Sequence, residues 1–253
     1  MTLSPSGVGR RTLSRWFVFF ATLAAGAWAL GSAGKLSPTL KGVAIFIGIC
    51  CYVALLISFV MIGQHAAAQL RQGIAAMDLL KTYPIPGWQI ALGELVGPVS
   101  LGTLMQWCSL GIGMLLLRVS VPSHEIAPPI FYIAGGLALF LPVFNFSSAI
   151  LPCAGALLFP GWFRPQENAA PGIENTGLRL MLGITQLLAV VAALIPVAFF
   201  GAVAWFAAGK FTSLMEWQAL AAGGTAILLL AMEAGLGVAW LGSLYDNFDV
   251  SSE

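Results

Sequence analysis

The chain reads as an all-α membrane protein with six transmembrane helices, and three observations carry that reading. Hydrophobic residues make up 59% of its 253 residues and charged residues only 8%, with a mean hydropathy of +0.92. A soluble domain carries about a quarter charged residues, so this chain could not cover its surface against water. The apolar residues fall into six runs, near 16–33, 42–63, 89–117, 130–159, 180–208 and 219–244. Each is long enough to cross ~30 Å of hydrocarbon, which takes about 20 helical residues. Between the second and third runs lies a segment, 64–88, too polar to span and too apolar for a wet loop. No linker, charge run or low-complexity stretch divides the chain, so a single membrane domain over 1–253 is expected.

The elements follow in order. Arg10 and Arg11 precede the first run, which invites a cleaved export signal. The run from Trp16 to Ala33 exceeds a signal-peptide core of about 7–15 residues, so an uncleaved first span is expected. Gly31-Ser32-Ala33-Gly34-Lys35-Leu36 has a superficial likeness to a phosphate loop. It fails because Leu36 stands where Ser or Thr is needed to reach a metal, and Ala29 stands where the first glycine should be. The third, fourth and fifth runs exceed the minimum span and should tilt, kink or project past the lipid. Pro98, Pro142, Pro152 and Pro196 remove the donors for the carbonyls of Glu94, Ala138, Ser148 and Ala192, and kinks or locally filled breaks are expected there. Trp16, Trp88, Trp162, Trp217, Tyr132 and Tyr245 stand near run ends, as an interfacial belt requires. Gly93 and Gly97 make a small-residue face suited to helix pairing.

The segment 64–88 carries Gln64, His65, Gln69, Arg71, Gln72, Asp78 and Lys81 alongside Leu70, Ile74, Met77, Leu79 and Leu80. At 3.6 residues per turn Leu70, Ile74 and Met77 share a stripe that can sit on lipid or on the ends of the spans. Arg71 and Asp78 fall on another face, leaving charge for a soluble partner. The segment is therefore expected to hold an interfacial helix over 70–81, stopped by Pro84 and Pro86 and anchored through Trp88.

Orientation follows from Lys and Arg in the loops. With the N-terminus in the cytoplasm, that side holds Arg10, Arg11, Arg15, Arg71, Lys81, Arg164 and Arg179, and the other side Lys35, Lys41, Arg118 and Lys210. The bias predicts that both termini are cytoplasmic.

Few polar groups lie inside the runs. Glu233 sits mid-way along the sixth, where a carboxylate costs about 2.5 kcal/mol or more unless protonated, paired or wet. It is the leading candidate for a polar point on a pathway, with a hydrogen bond to a neighbouring helix as the plain alternative. Glu94, near the start of the third run, can reach the headgroups. Gln106, Asn145 and Gln186 are candidates for interhelical hydrogen bonding or for lining a translocation path.

Several functions find no footing. The net charge of +1 leaves no electrostatic footprint for nucleic acid. Cys50, Cys51, Cys108 and Cys153 show no ligand spacing and read as small buried hydrophobes. His65 and His124, the only histidines, fall in expected surface loops. Hydrolase and metalloprotease signatures are missing, and no metal site, cofactor or catalytic residue is expected.

The chain resembles the membrane subunits of ABC-2-type exporters. The likeness rests on Asp78-Leu79-Leu80-Lys81-Thr82-Tyr83-Pro84-Ile85-Pro86-Gly87-Trp88-Gln89-Ile90, followed by Gly93-Glu94-Leu95 and Pro98. Looser blocks are Leu157-Leu158-Phe159-Pro160-Gly161-Trp162, Gly177-Leu178-Arg179-Leu180 and Phe248-Asp249-Val250-Ser251. The resemblance implies a permease in a bacterial inner membrane, with six helices and a coupling helix between the second and third. It implies a separate ATPase subunit that binds ATP, contacts at Arg71, Asp78, Lys81, Tyr83, Pro84, Pro86 and Trp88, and a pairing of two membrane halves, as a homodimer or with a second permease. The runner-up is a non-transporting membrane scaffold or accessory subunit, in which every polar residue within the runs is interhelical glue.

Overall fold

A computed structural model describes residues 38–74, 85–120, 129–158, 173–212 and 214–247, together with Gly26. Its helices are α1 (Pro38–Ile74), α2 (Gly87–Ser120), α3 (Pro129–Leu158), α4 (Ile173–Phe211) and α5 (Met215–Asn247). No strand occurs among the described residues. Among the described residues five helices are long and apolar enough to cross a membrane, so the described chain is all-helical and its architecture is that of a multi-pass membrane protein. The expected first span near 16–33 lies outside the described residues, as do 75–84 of the expected interfacial segment.

The distribution of side chains fits a lipid solvent. Phe46, Leu56, Ile133, Leu139, Leu188, Phe206, Leu228 and Leu236 are exposed, while Thr103, Gln106, Ser109, Asn145, Ser148 and Gln186 are buried. In water that arrangement would leave an extensive apolar surface wet. In hydrocarbon the backbone bonds to itself within each helix and the polar side chains turn inward to one another. The cysteines divide in the same way: Cys51 and Cys153 are buried, whereas Cys50 and Cys108 sit on outward faces rather than in the core expected of them. An apolar thiol is at ease in either place.

One boundary departs from the sequence reading. The second apolar run ends near Gly63, yet α1 continues unbroken to Ile74. Ala66, Ala67, Ala68, Gln69 and Leu70 are all good helix formers, and Ala66, Ala67 and Leu70 pack into the core. His65 accordingly lies on a helix and not in a loop, its Nδ1 2.8 Å from the Met61 carbonyl oxygen. At Pro98, Pro142, Pro152 and Pro196, where kinks or locally filled breaks are expected, α2, α3 and α4 remain helical on both sides of each proline.

By compactness the chain divides into residues 1–56 with 104–134, and 57–103 with 135–253. In the first unit Ala44 and Cys51 of α1 meet Ile112 and Leu116 of α2. Gly113 admits the Tyr52 ring there, and a Cβ at this glycine would stand 3.1 Å from Cζ. The second unit holds a larger core in which Leu70, Leu95, Val99, Ala154, Val238 and Leu241 pack together. A second cluster joins Phe144, Val197 and Leu230. Phe59 meets Phe144 edge-on at 4.7 Å between ring centroids, and Phe140 stacks on Phe144 at 5.4 Å. Helices α4 and α5 pack against each other and form a hairpin. At the turn, Thr212 donates its N–H to the Ala208 carbonyl at 3.0 Å, and Gln218 donates Nε2–H to the Thr212 carbonyl at 3.1 Å.

Candidate functional site

The start of α2 is fastened to the end of α5. Pro86 accepts the Gln89 N–H at 2.9 Å and so opens α2. The next free donor, Gly87 N–H, reaches across to Asp246 Oδ1 at 3.0 Å. A carboxylate there caps a helix N-terminus from outside the helix, where the backbone partial charge favours an anion by about 0.3–1 kcal/mol at an exposed position. Two glycines allow the approach. A Cβ on Gly87 would run into the Gly242 carbonyl oxygen, and one on Gly242 would stand 2.5 Å from the Trp88 backbone nitrogen and 2.6 Å from its Cα. Gly242 and Asp246 are four residues apart and share one face of α5. Trp88, beside this joint, is 47% exposed, as an interfacial anchor must be.

Two polar pairs join neighbouring helices. Asn145 of α3, fully buried, donates Nδ2–H to Thr103 Oγ1 of α2 at 2.8 Å. Gln186 of α4 is buried, and Gln64 of α1 donates to its Oε1 at 3.5 Å. Gly63 makes room for that pair, since a Cβ there would run into Gln186 Nε2 and stand 3.1 Å from Pro152 Cγ. Gln106 is buried within α2, and Glu94 is partly buried near the start of that helix.

Glu233 of α5 stands apart from these pairs. It lines a cavity of about 170 Å³ bounded by α3, α4 and α5. Phe144, Ile150, Leu151, Val190, Leu194 and Leu230 supply the apolar wall, and Ser147 and Ser148 supply hydroxyls. Glu233 Oε2 is enclosed and has no hydrogen-bond partner among the described residues. The interhelical bond that was its plain alternative is therefore not made by this oxygen.

Of the residues expected to contact an ATPase, Pro86 and Trp88 lie at the α2 start and Arg71 is in the last turn of α1. Asp78, Lys81, Tyr83 and Pro84 lie outside the described residues. Sequence reasoning missed Thr103, Gln64, Ser147, Gly242 and Asp246 as working parts. A glycine four residues before an aspartate, at the end of the last apolar run, is the signal that could have found the joint. Among the described residues no three His, Cys, Asp or Glu side chains converge as a metal would need. Comparison with protein-family models, with curated proteins and with solved structures returned no match.

Proposed function

We propose that the chain is the membrane permease subunit of an ATP-driven ABC-type exporter, working with a separate ATPase subunit that binds the ATP. The observation that carries the reading is the joint of Gly87 with Gly242 and Asp246. It lies at the end of the 64–88 segment, inside the sequence block that resembles ABC-2-type permeases. A force applied to that segment by a docked ATPase is delivered through a backbone-to-backbone contact to α5. That helix also carries Glu233 on its cavity-lining face. A rigid joint transmits a displacement that a flexible side-chain contact would absorb.

Two further features support this reading. Among the described residues, a Cβ on Gly93 would meet nothing within 4 Å, and one on Gly97 only Gln69 Oε1 at 3.7 Å. The small-residue face of α2 is thus open for the second membrane half that an exporter requires. The Lys and Arg bias places both termini, and the 64–88 and 161–178 loops, on the cytoplasmic side of a bacterial inner membrane, where an ATPase would be.

The coupling test is charge reversal at Arg71 and Asp78, separately and together, read by ATPase co-purification and substrate-stimulated hydrolysis. Either single reversal should reduce both readouts several-fold, with partial recovery in the double variant. Parental binding and stimulation in all three would remove these charges from the coupling surface. Topology gives an independent prediction. In a cysteine-free background, single cysteines at 35–41 and 119–128 should label from outside, and those at 72 and 168 only after permeabilisation. Outside labelling at 72 or 168 would overturn the orientation.

A further inference from the structure

We propose that the cavity between α3, α4 and α5 is a binding site for an organic ammonium ion, with the Glu233 carboxylate as its counter-charge. Each polar group on the wall offers a lone pair and keeps its proton elsewhere. Ser147 Oγ donates to the Leu230 carbonyl at 3.5 Å, and Ser148 Oγ donates to the Asn145 carbonyl at 3.0 Å. With their protons so engaged, both hydroxyls can only accept from a ligand, and the Glu233 carboxylate, whose enclosed Oε2 has no hydrogen-bond partner among the described residues, is a third accepting group on the wall. Among the described residues no lysine, arginine or histidine lines the cavity to answer that carboxylate. A primary ammonium carries three N–H donors and one positive charge, the complement of this set. The bond it makes to a carboxylate in a dry site is about twice as strong as a neutral one.

The rest of the wall states what the cation must be attached to. Phe144, Ile150, Leu151, Val190, Leu194 and Leu230 exclude a hydrated metal ion and favour an apolar body. Phe144 is held in place by Phe59 and Phe140, so its ring is a fixed surface beside the site, where a cation gains about 0.5–2 kcal/mol from an aromatic face. A dry cavity of about 150 Å³ binds benzene, so one of about 170 Å³ holds a phenyl-sized group with a short amine arm. The site goes beyond the export reading, because a scaffold could carry it equally well.

The test is direct binding to the purified chain in detergent, without any ATPase, which keeps it distinct from the test of export. 2-Phenylethylamine is titrated calorimetrically against 2-phenylethanol, its neutral counterpart of the same size. The amine should bind the parent protein at least tenfold more tightly than the alcohol. Glu233→Gln should remove that preference, Ala193→Leu should abolish binding by filling the cavity, and Glu216→Gln, the same change at an exposed position on α5, should leave binding unchanged. Equal binding of amine and alcohol to the parent overturns the proposal without recourse to any variant, as does parental amine affinity in a well-folded Glu233→Gln protein. Displacement of the amine by millimolar sodium would assign the acceptors to an alkali cation and also overturn it.

Discussion

Gly242→Val should cost most of the stability of the membrane domain, while Gly223→Val on the same helix should be nearly neutral. A Cβ at Gly242 would stand 2.5–2.8 Å from the Trp88 nitrogen, Cα and Cβ, whereas one at Gly223 would meet nothing within 4 Å. The obstructing atoms at Gly242 are largely backbone at the first turn of α2, so rotamer changes cannot relieve the clash. The expected loss is at the upper end of the about 1–3 kcal/mol seen on overpacking. It should appear as a lower melting temperature in detergent and a smaller monodisperse fraction on extraction. Asp246→Asn should be milder, since an amide oxygen still accepts from Gly87 N–H but without the charge. Equal melting temperatures for Gly242→Val and Gly223→Val would mean that the α2–α5 joint is not tight.

The second large effect is expected at Asn145. Its side chain is fully buried and bonded to Thr103 at 2.8 Å between neighbouring helices. Asn145→Asp preserves the shape but places an ionisable group inside the bundle, at about 2.5 kcal/mol or more for a carboxylate at depth. Asn145→Leu with Thr103→Val removes the bonded amide and hydroxyl together and should be tolerated much better than a buried carboxylate. Reversible unfolding in sodium dodecyl sulfate measures both. The double-mutant cycle of Asn145→Leu and Thr103→Val should give a coupling near the ~0.6 kcal/mol average for membrane helices. If Asn145→Asp unfolds like the parent, the pair sits in a wet crevice.

Much of the fold was legible because lipid imposes a simple rule. A hydrocarbon solvent admits only backbone that satisfies itself, so long apolar runs must be helices whatever they pack against. The runs near 89–117 and 130–159 match α2 and α3 to within a few residues. The second run was placed too short because its end was read from hydropathy at Gly63. Helix propensity in Ala66, Ala67, Ala68 and Leu70, and their burial, carried α1 on to Ile74. Each proline removes a donor and so marks a place for a kink or a filled break, yet one missing hydrogen bond does not end a helix of 30 residues such as α3.

The candidate site was legible only as a set of residue types. Glu233 stood out because a charge at that depth is costly, and the same reasoning marked Asn145 and Gln186. Which groups meet was not readable. Asn145 pairs with Thr103, 42 positions away, and Gln186 with Gln64, 122 positions away. Threonine and glutamine at those positions look like ordinary helix polar residues until two helices bring them together.

The sequence by itself determined the apolar, helical character of the chain and the approximate place of the five described spans, because these depend on composition over about 20 consecutive residues. Tertiary structure alone decided which small residues are crossings. Gly93 and Gly97 have the spacing of a packing face yet crowd no helix among the described residues, whereas Gly87 and Gly242, 155 positions apart, lie at a backbone contact. It also left Glu233 on the wall of a cavity, with its enclosed Oε2 lacking a hydrogen-bond partner among the described residues. Contacts of that kind depend on crossing position and helix rotation. Those are set by the summed packing of many similar apolar side chains, and no local pattern in the chain encodes them.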